Sequence, residues 1–164
     1  MERKTLVLSS LVIGTSDVVR LKREVEALDD YLHQASLRKA GDEIVKLPKT
    51  SRVMDEFAAT NSLNLLQPES RKQALDFLHL AHTKAPVVHM SFAAEPSAAF
   101  MQKLALWWRQ NIDLNILLEV GLQPNIAIGC IVRTSNKQYD FSLRQHFIAN
   151  RDKLIEQLKV GNKA

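Results

Sequence analysis

The chain is 164 residues long, 46% hydrophobic and 24% charged, with 22 Lys+Arg against 18 Asp+Glu for a formal net charge of +4. That apolar content is enough to bury a core in one domain or two small ones, and it excludes a wholly disordered chain. The basic surplus is spread out: residues 1–85 carry 13 basic and 12 acidic side chains and residues 86–164 carry 9 and 6, so neither half is the concentrated patch that nucleic-acid binding needs.

The lone cysteine, Cys130, rules out an intramolecular disulfide and a zinc site built on several thiolates. No apolar run approaches the roughly 20 residues that span a bilayer. Leu6 to Gly14, preceded by Arg3 and Lys4, lacks a small-residue cleavage site and is followed at once by Asp17. It predicts a short buried strand, part of an Arg3–Ile13 strand and loop, rather than a signal peptide.

A helix is predicted over residues 17–39, with Thr15 or Ser16 capping its start and Gly41 stopping it. Its apolar positions, Val18, Leu21, Val25, Leu28, Leu32 and Ala35, are spaced 3, 4, 3, 4, 3, a heptad seam. Such a seam packs either on the rest of its own domain or on another helix, a second copy's or a partner's. Glu43–Leu47 reads as a short strand closed by Pro48, Ser51 opens a helix carrying Met54 and Phe57, and Pro68 opens another carrying Ala74, Leu78 and Ala81. Lys84-Ala85-Pro86 marks a junction, giving a mostly helical part over 1–85 and an α/β domain over 86–164.

In the second part, Val87–Ala93 is strand-like. Pro96 and Ser97 start a helix whose wide apolar face holds Phe100, Met101, Leu104, Trp107 and Trp108. Leu114–Gly121 and Ala127–Thr134 are further strands, and Ser135-Asn136-Lys137 turns the chain into a hairpin strand, Gln138–Phe141. Ser142 and Gln145 form a capping-box pattern before a last helix with Leu143, Phe147, Ile148, Leu154, Ile155 and Leu158. The expected fold class is therefore α+β: a helical N-terminal part, then a small βαββα-type domain with a small mixed sheet.

The sequence offers no Gly-rich phosphate loop and no catalytic constellation. His79 and His82, three apart on a predicted helix, could face one ion, but no third ligand suggests itself. Cys130, between Ile128 and Ile131, reads as a structural thiol and Asp140 as a turn carboxylate paired with Arg133 or Arg144. Trp107 and Trp108 point about 100° apart on a helix: both fill the core, or one stays exposed as an anchor for a partner. The expectation is a non-catalytic chain with no metal and no cofactor.

The order of features over residues 86–158 resembles the C-terminal domain of the ATP synthase delta subunit and oligomycin-sensitivity-conferring protein family. The quoted stretches are Val87-Val88-His89-Met90-Ser91-Phe92-Ala93-Ala94-Glu95-Pro96, then Ile116–Val120, Pro124 and Ile128-Gly129-Cys130-Ile131-Val132-Arg133, and last Asp140-Phe141-Ser142-Leu143-Arg144. Phe141 stands where the family has glycine, and Cys130 where it has a second small residue. Phe57-Ala58-Ala59-Thr60-Asn61 and Leu63-Asn64-Leu65-Leu66 resemble the helices before that domain, whereas the first 50 residues show no likeness.

The resemblance implies a peripheral-stalk subunit at the cytoplasmic face of the membrane, holding a b-type stalk subunit through its C-terminal domain and, in the family, the alpha subunits through its N-terminal bundle. Gly129, Asp140, Ser142 and Arg144 would be structural. Val18, Leu21, Val25, Leu28, Leu32, Trp107 and Trp108 are the candidate partner-binding residues, with no nucleic-acid role. The alternative is a stand-alone module that dimerises through the seam.

Overall fold

The computed structural model describes residues 6–38, 48–126 and 128–161. The expected stop at Gly41 and strand at Glu43–Leu47 lie outside the described residues. The protein is α+β, with helices α1 (Thr15–Arg38), α2 (Arg52–Asn61), α3 (Pro68–Lys84), α4 (Ala98–Asn111), α5 (Arg144–Ala149) and α6 (Arg151–Gly161). Strands β1 (Val87–Phe92), β2 (Leu117–Leu122), β3 (Cys130–Arg133) and β4 (Gln138–Asp140) form one sheet in the order β2-β1-β3-β4.

Two compact units divide the chain, and they do not follow a single cut at residue 85. The first comprises residues 1–87 and 98–118, the second 88–97 and 119–164. α4 lies in the first, helical unit.

In the first unit the sequence signals work locally. Ser51 caps α2, its hydroxyl accepting from Met54 N at 3.2 Å and donating to Glu24 of α1. Ser62 ends α2 in the left-handed region at φ 54°, and the amides of Ser62 and Leu63 return to Ala59 O and Ala58 O. Pro68 fills the first turn of α3, where its missing N–H costs nothing. The core gathers Val18, Leu21, Val25 and Leu28 of α1, Met54 and Phe57 of α2, and Ala74, Leu78 and Ala81 of α3. Phe57 and Phe77 stack at 6.0 Å. The buried Arg71 ties the helices together: Nε donates to Asp29 of α1, and Nη1 donates to the carbonyls of Leu65 and Leu66.

The first segment is not the strand its alternation suggests. Residues 6–13 are irregular, although Leu6, Leu8 and Val12 are buried. The reason is that a side chain supplies the pairing: Asn61 Oδ1 accepts from Val7 N at 2.8 Å, and Asn61 Nδ2 donates to Val7 O and Phe57 O, both at 2.9 Å. Asp17 holds the next turn by accepting from the amides of Ile13 and Gly14.

Arg109 of α4 completes the lock. Its guanidinium donates from Nη1 to Ser9 O at 2.8 Å, from Nη2 to Val12 O and from Nε to Ile116 O. Burial pushes its pKa down to about 10, opposed by the Asp17 carboxylate, so it stays charged at neutral pH. A buried cation of this kind carries a desolvation cost, offset here by its carbonyl acceptors.

In the sheet, β1 and β3 pair antiparallel, with Met90 opposite Val132, both buried, and His89 opposite Arg133, both exposed. β3 and β4 pair antiparallel as the expected hairpin. Leu117 N donates to Pro86 O and Gln123 N to Phe92 O, a constant offset that makes β1 and β2 parallel and the sheet mixed.

Replacing Arg109 with Met keeps the aliphatic volume and removes the guanidinium donor from the carbonyls of Ser9, Val12 and Ile116, of which Ser9 O still accepts from Val12 N. The expected loss is about 3 kcal/mol of unfolding free energy, with Arg109→Lys intermediate. Urea titration followed by circular dichroism checks this; a loss below about 0.5 kcal/mol contradicts the assigned role.

Candidate functional site

The heptad seam lies inside the protein. Val18, Leu21, Val25 and Leu28 are buried in the core of the first unit and Leu32 packs against it. This corrects their assignment as partner-binding residues. α1 meets α2 and α3 of its own chain along that stripe, so the stripe is not offered to a second copy or to another protein. A heptad spacing specifies one apolar stripe, and it does not say which helix covers it.

Trp107 and Trp108 divide as their angular separation allows. Trp107 is 53% exposed, Trp108 is half-buried, and the rings meet edge-on at 5.6 Å. An open groove beside α1 is lined by Ser16, Arg20, Arg23, Glu24 and His82; Arg20 pairs with Asp17 at 3.1 Å and Glu24 accepts from the Ser51 hydroxyl. Among the described residues there is no group of three or more metal-ligating side chains and no helix long and apolar enough to cross a membrane.

The second unit brings Gly129, Asp140 and Ser142 into one corner. Gly129 sits at φ +101°, and a Cβ there would lie 2.3 Å from Phe141 O and 2.9 Å from Ser142 Cα. On either side of it, Phe141 N donates to Cys130 O at 2.9 Å and Leu143 N donates to Ile128 O at 3.0 Å. Glycine is thus required both by its backbone conformation and by the close approach of the facing chain. Asp140 accepts from Ser142 N at 2.8 Å, and hydrogen bonds from the Ser142 hydroxyl and amide hold its carboxyl below the usual range, with a smaller contribution from Arg144. Arg133 bonds Gln138 instead of Asp140. Partial burial raises the Cys130 thiol, which favours its neutral form.

This Asx turn overrides the capping box. Ser142's amide is committed to Asp140, and the helix begins two residues later, with Leu143 in the cap position and no side-chain cap. The expected single helix is also two: α5 closes at Asn150, whose amide returns to His146 O, before α6 starts.

Around the corner lies a feature that the sequence reading missed. Phe141 is 63% exposed and Ile148 64%, and Ile128, Tyr139, Leu143, Phe147 and Ile155 are also exposed. Tyr139 and Phe141 stack at 6.2 Å, while Leu143 bonds Ile128 through its backbone and lies one turn before Phe147. The helical periodicity of Leu143, Phe147, Ile148 and Ile155 reads as a core face, yet these side chains face solvent. Exposed large apolar side chains also occur in the first unit, Phe100, Leu106, Trp107 and Ile112 of the α4 region among them. The available signal was a surplus: few strand positions stand opposite so many helical apolar residues. Phe141 is accommodated because its side chain is exposed and only its backbone enters the corner.

No protein-family model matches this chain, and no curated protein sequence matches it.

Gly129→Ala is expected to cost about 2–4 kcal/mol, through positive-φ strain and the backbone clash, read as lost hydrogen-exchange protection in β3 and β4. Unchanged protection would contradict the geometry. Because the Asp140 pKa is depressed in the folded state, its stabilisation is present above the ordinary value of 3.8 and fades as pH falls below that value. Asp140→Asn should flatten this acid limb of the stability profile while leaving the neutral limb's shape unchanged.

Proposed function

We propose that this chain is a non-catalytic peripheral-stalk subunit of a rotary ATP synthase, similar to the delta subunit. It would link the b-type stalk to the catalytic head, at the cytoplasmic face of the membrane, during proton-driven ATP synthesis. The observation that carries the reading is the corner in the second unit. Gly129, Asp140 and Ser142, three residues on which the resemblance rests, come together there: Asp140 accepts from Ser142 N at 2.8 Å, and the backbone of Phe141 and Ser142 closes on Gly129.

The surface beside that corner supports the same reading. A mechanical adaptor needs no acid, base or nucleophile. It needs apolar area that a partner helix buries, because burial supplies non-directional adhesion at roughly 25 cal/mol per Å² before association costs. The exposed Phe141, Leu143, Phe147 and Ile148 provide such area. The stalk contact belongs to this second unit. The head contact would fall to the helical unit, where Trp107 is an exposed aromatic anchor.

Affinity capture of the full chain from detergent-solubilised membranes of its own cells should recover b-type and alpha-type subunits. Ile148→Asp should abolish recovery of the b-type subunit without unfolding the protein, since that side chain is exposed. Recovery of neither subunit by the unaltered chain refutes the reading.

A further inference from the structure

Resting on the stalk reading, we infer that the α5–α6 surface selects its partner by charge as well as by apolar burial. Its partner segment is an amphipathic helix whose apolar face is flanked by Asp and Glu. On α6, Arg151, Ile155 and Lys159 follow one another at four-residue steps, so they stand on adjacent turns of one face. On α5, Arg144 precedes Phe147 and Ile148 by three and four residues, which sets one cation a turn before two apolar side chains. Arg144, Phe147, Ile148, Arg151, Ile155 and Lys159 are all exposed.

The carboxylates nearby offset only part of this charge. Residues 144–161 contain four cations, Arg144, Arg151, Lys153 and Lys159, against two carboxylates, Asp152 and Glu156. Asp140 is the carboxylate that Arg144 acts on, and it is held by Ser142. No ion pair joins Arg151 or Lys159 to a carboxylate among the described residues.

The pattern has a physical consequence. Exposed apolar side chains adhere to any apolar stripe, so they supply affinity with little discrimination. Cations set on the same turns repel a basic helix and draw an acidic one, which sets partner choice, register and encounter rate. Their methylene stems can also lie over the partner's apolar edge while the charges reach its carboxylates. A nucleic-acid backbone is the poorer match, because the exposed Phe147, Ile148 and Ile155 set between the cations bury nothing against phosphates.

The test is a binding titration of the full chain against the soluble helical part of its b-type stalk subunit, from roughly 50 to 500 mM NaCl, where the Debye length shrinks from about 14 to 4 Å. Affinity should fall about tenfold or more across that range. The double reversal Arg151→Glu, Lys159→Glu should weaken low-salt binding by a similar factor and flatten the salt dependence. Ile155→Ser should weaken binding equally at all salt concentrations. Unchanged circular dichroism verifies that the variants are folded. Stalk binding that ignores both salt and charge reversal overturns the inference and leaves the stalk reading standing. No stalk binding at all overturns both, and binding to vesicles containing phosphatidylserine in its place would assign the face to an anionic membrane.

Discussion

One buried guanidinium organises the helical unit. Arg109 lies at the end of α4, yet its hydrogen bonds reach the carbonyls of Ser9 and Val12, about a hundred positions away, and of Ile116 just beyond the helix. Because the carbonyls of an irregular segment have no ladder to join, they need a donor when buried. Arg109 supplies it with a fork of N–H groups that lysine lacks. The position of α4 and that of the first segment are thereby made mutually dependent, and Ile13 O extends the arrangement by accepting from Leu118 N at the start of β2.

The second unit is held by different means. Among its described residues the buried apolar side chains are Val88 and Met90 of β1, Val132 of β3, and Ile126. What defines its shape is backbone proximity at Gly129, where the β3 entry and the segment after β4 come too close for any side chain. The large apolar residues of the hairpin end and of α5 are exposed. For a free-standing domain this would be a liability. For an adaptor that works under torque it is the surface a partner helix covers, and the proposed stalk role accounts for it without any reacting group.

Much of the molecule was legible in the residues. Helix starts at Ser51 and Pro68 and the hairpin turn at Ser135-Asn136-Lys137 follow from local rules of capping and turn chemistry, whereas Gly129 stands out in the sequence only through the resemblance. The departures share a cause. Where two local options competed, a distant group decided between them. Asn61 gave Val7 a pairing partner that was not a strand, and Asp140 captured Ser142 before it could cap a helix.

By itself, the sequence determined the α+β class, the order of most elements and which residues are apolar in helical register, because these depend on neighbours within about four positions. Only the tertiary structure decided which stripes are covered. The α1 seam is interior because α2 and α3 close over it, while Phe147 and Ile148 of α5 and Ile155 of α6, also at helical spacing, are exposed. Periodicity reports that a face is apolar; whether it becomes a core or a docking surface depends on what the rest of the chain places opposite.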